Sequence, residues 1–226
     1  SANRLSAVGI TVSNSGRLQL DSTRLQSILD GQVEDISAAD VKRLFALDGT
    51  SDNSAVKFIS GSVDTKSSAT PVQVKITQAA EQASLTAGTA LNGSIVIGDS
   101  NNGFTVKING IEAGVTLASG TYTQQEFTDL LETTINSTSA LAGQSVSAGL
   151  VGSNLKMTSD RYGSASQIEI VSGSAMADLG MTAGQKSSGK DVAGSFRVND
   201  TDELATGKGQ ILTANSGNEN TSGLLV

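Results

Sequence analysis

Glycine occurs 25 times and proline once in this 226-residue chain. Glycine reaches backbone conformations closed to other residues, and with abundant Ser, Thr and Asn it makes tight turns. Such a composition describes strands joined by glycine and Asx turns, not a Pro-rich linker. Aromatic residues make up only 3% and tryptophan is absent, so any core is thin and built from Val, Ile, Leu and Ala. The length exceeds the roughly 100–150 residues of a common domain, which favours two domains or one carrying a large insertion.

The residue inventory excludes much chemistry. There is no cysteine and no histidine, so disulfides, thiol catalysis and thiolate metal sites are out, as is the commonest general base. A net charge of −7 without a basic block argues against a nucleic-acid partner, since phosphate binding needs clustered Lys and Arg. No run approaches the roughly 20 apolar residues that span a bilayer, and the first residues lack the plan of a signal peptide. These features read as an extracellular structural protein.

The first segment alternates at Ile10 and Val12, turns through SNSG and resumes at Leu18 and Leu20, which predicts a β-hairpin. Asp21 or Ser22 then caps a short helix bearing Leu25, Ile28 and Leu29, ended by Gly31. A second helix begins at Ser37, where Ser37 and Asp40 resemble a capping box and Val41, Leu44 and Phe45 form the apolar stripe. The run AVKFISGSV from Ala55 predicts a strand, as do Val72, Val74 and Ile76 after Pro71. AAEQASLTAG fits either a short helix or a bent strand.

Two strands, SIVIG and FTVKI, lead to Asn109-Gly110 and then GVTL. An Asn-Gly pair between strands predicts a hairpin, because both residues tolerate positive φ. Thr123 with Glu126 predicts a capped helix carrying Phe127, Leu130, Leu131, Thr134 and Ile135 at helical spacing. Asn136 fits a helix end in the left-handed conformation. Short strands follow at SVSAGLV, NLKMTS, SQIEIVS, GSFRVN and GQILTA, with a small helix at AMADLG. The fold class is a β-rich α+β protein.

Four patterns invite a chemical reading and none sustains it. GQKSSGKD at 184–191 nearly matches a phosphate-binding loop, but Asp191 stands where Ser or Thr should and would repel phosphate. DSNNG from Asp99 opens like a calcium loop, yet Gly110 occupies the position of the bidentate Glu. Asn92, Asn136, Asn199 and Asn220 stand in N-x-[ST] triplets expected by chance in so polar a chain. Asp200, Asp202 and Glu203 read as a solvated loop with nothing to raise a carboxyl pKa. The apolar face of the helix at 124–136 reads as core packing. No catalytic, cofactor-binding or metal-binding residue is assigned, and no cofactor.

VKINGIEAGVTLASGTYTQQEFTDLLETTINS resembles the flagellin hook IN motif, a strand pair and capped helix ending in Ile-Asn, here Ile135 and Asn136. LSAVGITVSNSGRLQLDSTRLQSILDG followed by VKRLF resembles a segment of the flagellar hook-associated protein 2 family, the filament-capping proteins. PVQVKITQAAEQASL and SGKDVAGSFRVND are similar to the two halves of a body domain into which that family inserts its IN-motif domain. The IN motif is shared with flagellins and other axial proteins, whereas the GI…G-x-L-x-LD…LF segment is more particular to the capping family. The long heptad helices of the family's two ends are lacking, so the chain reads as an excised fragment.

The resemblance implies three parts: a hairpin-helix-helix segment at 1–54 packing on a coiled-coil region, a discontinuous β-rich body at 55–87 and 187–226, and an inserted IN-motif domain at 88–186. It implies no enzymatic activity. It also implies export through the flagellar secretion apparatus, a ring-like homo-oligomer at the distal tip of the filament, and insertion of flagellin beneath it. Flagellin and further copies of the chain are the implied partners, with host mucin or glycan as a further contact, and neither nucleic acid nor membrane insertion. A surface adhesin module, or the outer variable domain of a flagellin or tail-fibre protein, is the alternative.

Overall fold

The computed structural model describes residues 5–13, 15–38, 40–41 and 49–226. After a 3₁₀ turn at Leu5–Val8 come β1 (Ile10–Val12), β2 (Leu18–Leu20) and α1 (Ser22–Leu29). Next are β3 (Gln73–Gln78), β4 (Gln82–Thr86), β5 (Ile95–Ile97), β6 (Gly103–Ile108), β7 (Ile111–Thr116) and β8 (Gly120–Tyr122). The long helix α2 (Gln124–Ser137) precedes β9 (Val146–Val151), β10 (Asn154–Tyr162), β11 (Gln167–Gly173) and the short helix α3 (Met176–Leu179). The chain ends with β12 (Lys186–Ser188), β13 (Ala193–Val198), β14 (Thr201–Lys208) and β15 (Ile211–Ala214). Strand orders are β1-β2, β4-β10-β9, β12-β11-β6-β7, β15-β14-β13-β3 and β5-β8. This is a β-rich α+β fold.

The described chain forms two compact units. One comprises Ser1–Gln73, Phe196–Leu204 and Thr213–Val226; the other comprises Val74–Ser195 and Ala205–Leu212. In the first, β1 and β2 pair with Ile10 opposite Leu20 and Val12 opposite Leu18, so these four side chains share one face. Asp21 caps α1 by accepting from the Arg24 N–H at 3.0 Å, Ile28 is fully buried, and Gly31 follows the helix with φ of 71°. The Ser37 and Asp40 side chains exchange capping hydrogen bonds with each other's backbone N–H, at 3.0 and 3.3 Å. Leu44 and Phe45 lie outside the described residues.

The strand predicted at 55–63 does not form. Only Ser60 makes a bridge, to Leu225, because polar and glycine residues interrupt the alternation and the loop is held by separate hydrogen bonds instead. Ser62 Oγ and Thr65 Oγ1 both donate to the Ser222 carbonyl at 2.7 Å.

The second unit holds the larger core. Phe127, Leu131 and Ile135 of α2 are fully buried with Val106, Ile108, Leu155, Met157, Ile168 and Ile170. Each side chain so buried contributes roughly 1.5–3 kcal/mol. The burial of β6 alternates strictly, Phe104, Val106 and Ile108 facing in, as the period of a half-buried strand requires. The 82–86 segment, open between helix and strand by sequence, is strand β4, paired with β10.

Candidate functional site

The Asn-Gly pair forms a two-residue turn between Ile108 and Ile111, with φ of 49° at Asn109 and 90° at Gly110. These are the positive values a hairpin turn of primed type needs. The Asn109 carboxamide also ties down three distant segments. Its Oδ1 accepts from the Gln167 N–H at 2.9 Å and from Ser159 Oγ at 3.2 Å, and its Nδ2 donates to Gln144 Oε1 at 2.9 Å.

The α2 helix starts in a complete capping box. Glu126 N donates to Thr123 Oγ1 at 3.3 Å, and Thr123 N donates to Glu126 Oε2 at 2.9 Å. The Thr123 backbone and side-chain hydrogen bonds hold the Glu126 carboxyl below its ordinary pKa. At the other end, Asn136 corrects the sequence reading. It lies inside the helix, which runs to Ser137 with Thr138 as C-cap, and its φ is not positive.

Its side chain does what a neighbouring strand would do. Asn136 Nδ2 donates to the Val146 carbonyl at 2.9 Å and Asn136 Oδ1 accepts from the Val146 N–H at 3.0 Å. One turn earlier, Glu132 Oε2 accepts from the Ala148 N–H at 2.9 Å. Four helical residues advance about 6 Å and two strand residues about 6.6 Å, so the helix reads alternate positions of β9. Since β9 is an edge strand, these bonds satisfy backbone groups that would otherwise offer a template for pairing. Asn136 is therefore an edge clamp.

The acidic cluster near residue 200 divides in the structure. Asp200 sits at an exposed turn with φ of 64°, and Arg197 pairs with Asp200 and Asp202 at 3.3 and 3.1 Å. Glu203, read as part of a solvated loop, instead lies within β14 and is 5% exposed. Its carboxylate accepts four hydrogen bonds: Asn220 N at 2.9 Å, Asn220 Nδ2 at 2.8 Å, Thr221 N at 2.8 Å and Thr221 Oγ1 at 2.5 Å. Burial pushes its pKa up, and the hydrogen bonds of Thr221 and Asn220 outweigh that, lowering it to about 2.

The rejected motifs have structural places too. Lys186–Ser188 of the phosphate-loop lookalike is β12, paired with β11, and Lys190 Nζ pairs with Glu81 at 3.0 Å. Asp191 is gripped by Ser164 Oγ at 2.6 Å and Gly209 N at 2.6 Å; the Ser164 side chain, followed by the Gly209 and Ser164 backbones, lowers its pKa. In the calcium-loop lookalike, Asn101 accepts from Gly98 N and donates to Val96 O and Asp178. Among the described residues no group of three or more acidic, His or Cys side chains is placed to hold a metal ion. An open depression of about 450 Å³ lined by Gly103, Thr105, Gly114, Thr116, Gly173 and Ser174 presents no acid or base.

No known family model matches the chain, and no curated protein does. Among solved structures it is similar to the flagellar cap protein FliD D1-D2-D3 domains from Escherichia coli, at 16% identity and a TM-score of 0.42, over 68% of this chain and 46% of that one. It is also similar to the flagellar cap protein D2-D3 domains from Serratia marcescens, at 16% identity and a TM-score of 0.41, over 71% of this chain and 88% of that one. The match thus spans under half the length of the Escherichia coli chain.

Proposed function

We propose that this chain is a structural part of a bacterial flagellar filament cap, exported to the distal tip, where copies of it form a ring that promotes flagellin polymerisation. What supports the reading is the segment at 109–137. Its hairpin and capped helix bury Ile135 and turn Asn136 into a clamp on β9, giving both residues of the Ile-Asn pair a structural role. Assembly here works by shape and contact, with no bond chemistry. The outer parts are available to host mucin or glycan.

Immunogold electron microscopy of cells that make this chain tests the reading. Label confined to filament tips is the expected result. Label along the whole shaft identifies a flagellin-type subunit and overturns it.

The proposed division is a segment at 1–54, a body at 55–87 with 187–226, and an inserted domain at 88–186. The compact units by contact divide elsewhere, after Gln73, Ser195, Leu204 and Leu212. Limited proteolysis decides: stable products cut near 88 and 186 support the inserted domain, and cuts through β5 to β11 sink it. The segment at 1–54 is proposed to pack on a coiled-coil helix. In support, Val12, Leu18 and Leu20 on the hairpin face are 66%, 69% and 57% exposed.

A further inference from the structure

Asn-Gly occurs three times, at 92–93, 102–103 and 109–110, and the fold treats the three differently. At such a pair the following backbone nitrogen can attack the asparagine side chain, because glycine offers no Cβ to obstruct the approach. The reaction needs a free carboxamide, an unengaged glycine N–H and a backbone able to fold into a five-membered ring.

Asn109 fails two of these conditions: its carboxamide is held by Gln167, Ser159 and Gln144, and its backbone belongs to a turn locked between paired strands. At the second pair, Gly103 N donates to Ser174 Oγ at 3.2 Å and the Asn102 carbonyl accepts from Leu117 N at 2.8 Å, at the start of an extended strand. Asn92 and Gly93 are both exposed and lie outside any helix or strand. Neither the Asn92 side chain nor the Gly93 N–H has a hydrogen-bond partner among the described residues, and the space beside Gly93 is open. Anchors stand on either side, Leu91 bonded to Ser153 and Gln124 and Ile95 in β5.

We infer that Asn92 is a site of spontaneous covalent modification, deamidating in the folded chain while the fold spares Asn102 and Asn109. Gly93 N gives up its proton to solvent base and bonds to Asn92 Cγ; the Cγ–Nδ2 bond breaks and ammonia leaves, closing a succinimide. Water then opens the ring at Cγ to leave aspartate, or at the main-chain carbonyl to leave isoaspartate. Either product adds one negative charge to an exposed turn.

The folded chain incubated at mildly alkaline pH, then digested and mapped by mass spectrometry with fragmentation, tests this. The expected result is aspartate and isoaspartate accumulating at Asn92, with Asn102 and Asn109 slower by about tenfold or more, since they react only through local opening. In guanidinium the three sites should react at comparable rates, and Gly93→Val should suppress the reaction at Asn92 alone. Equal rates at Asn92 and Asn109 in the folded chain overturn the inference. So does an Asn109 that stays slow when unfolded, or an Asn92 that is inert in the folded chain.

Discussion

Single polar side chains here do work usually given to whole elements. Asn136 supplies both halves of a strand-like pairing to Val146, which only a carboxamide of that length provides, having a donor and an acceptor side by side. Asn136→Ala should cost about 1 kcal/mol, the net worth of such bonds at a partly hydrated site. Asn136→Asp should cost more than Asn136→Ala, because a carboxylate oxygen would face the Val146 carbonyl; urea denaturation of the two variants checks the order. Glu203 carries a pH consequence. Its folded pKa of about 2 lies below the ordinary 4.5, so its stabilisation is complete above pH 4.5 and is lost as pH falls towards 2. Glu203→Gln, which leaves N–H donors of Asn220 and Thr221 facing an amide nitrogen, should destabilise by about 1–3 kcal/mol at neutral pH. It should also flatten that acid limb, read from denaturation midpoints measured across pH.

Elements form where local signals agree, and one of them forms against its own pattern. The α2 helix carries a cap, an apolar stripe and a register that are all visible in sequence, and all are present in the fold. β14 is the opposite case. Its inward positions are Glu203, Ala205 and Gly207, while Leu204 on the other face is 71% exposed. Alternation of hydrophobicity is thus inverted, and TDELATGK reads as a loop. The reason for Gly207 is close approach: a Cβ built there would collide with the Val192 carbonyl oxygen. Gly207→Ala should therefore cost about 1–3 kcal/mol through forced backbone displacement. A thermal melt checks it, and a fall in stability too small to resolve would show that β14 yields freely.

At the scale of the molecule, a small apolar core is supplemented by polar side chains placed on strand edges. Ser166 Oγ accepts from Ala83 N at 2.9 Å, Gln185 Nε2 donates to the Thr86 carbonyl at 2.8 Å, and Asn154 Nδ2 donates to the Ala87 carbonyl at 2.7 Å. No described buried side-chain polar atom lacks a partner. The exposed hairpin leucines lie outside this economy. Leu18→Ser with Leu20→Ser should change the stability of this chain by no more than about 0.5 kcal/mol, and should abolish the packing on a coiled-coil helix proposed above for this face. A fall of several degrees in Tm would show that the face is packed within the chain itself. The sequence by itself determined the turn-punctuated strands, the hairpins at 10–20 and 108–111 and the capped helix, because alternation, positive φ and capping act over a few residues. Only the tertiary structure decided that Asn136 clamps a strand, that Glu203 is buried, that Asn109 is pinned from residues 144, 159 and 167, and that 55–63 is not a strand. A polar side chain has the same local signature at a solvated surface as at a strand edge, and which it meets depends on segments far away in the chain.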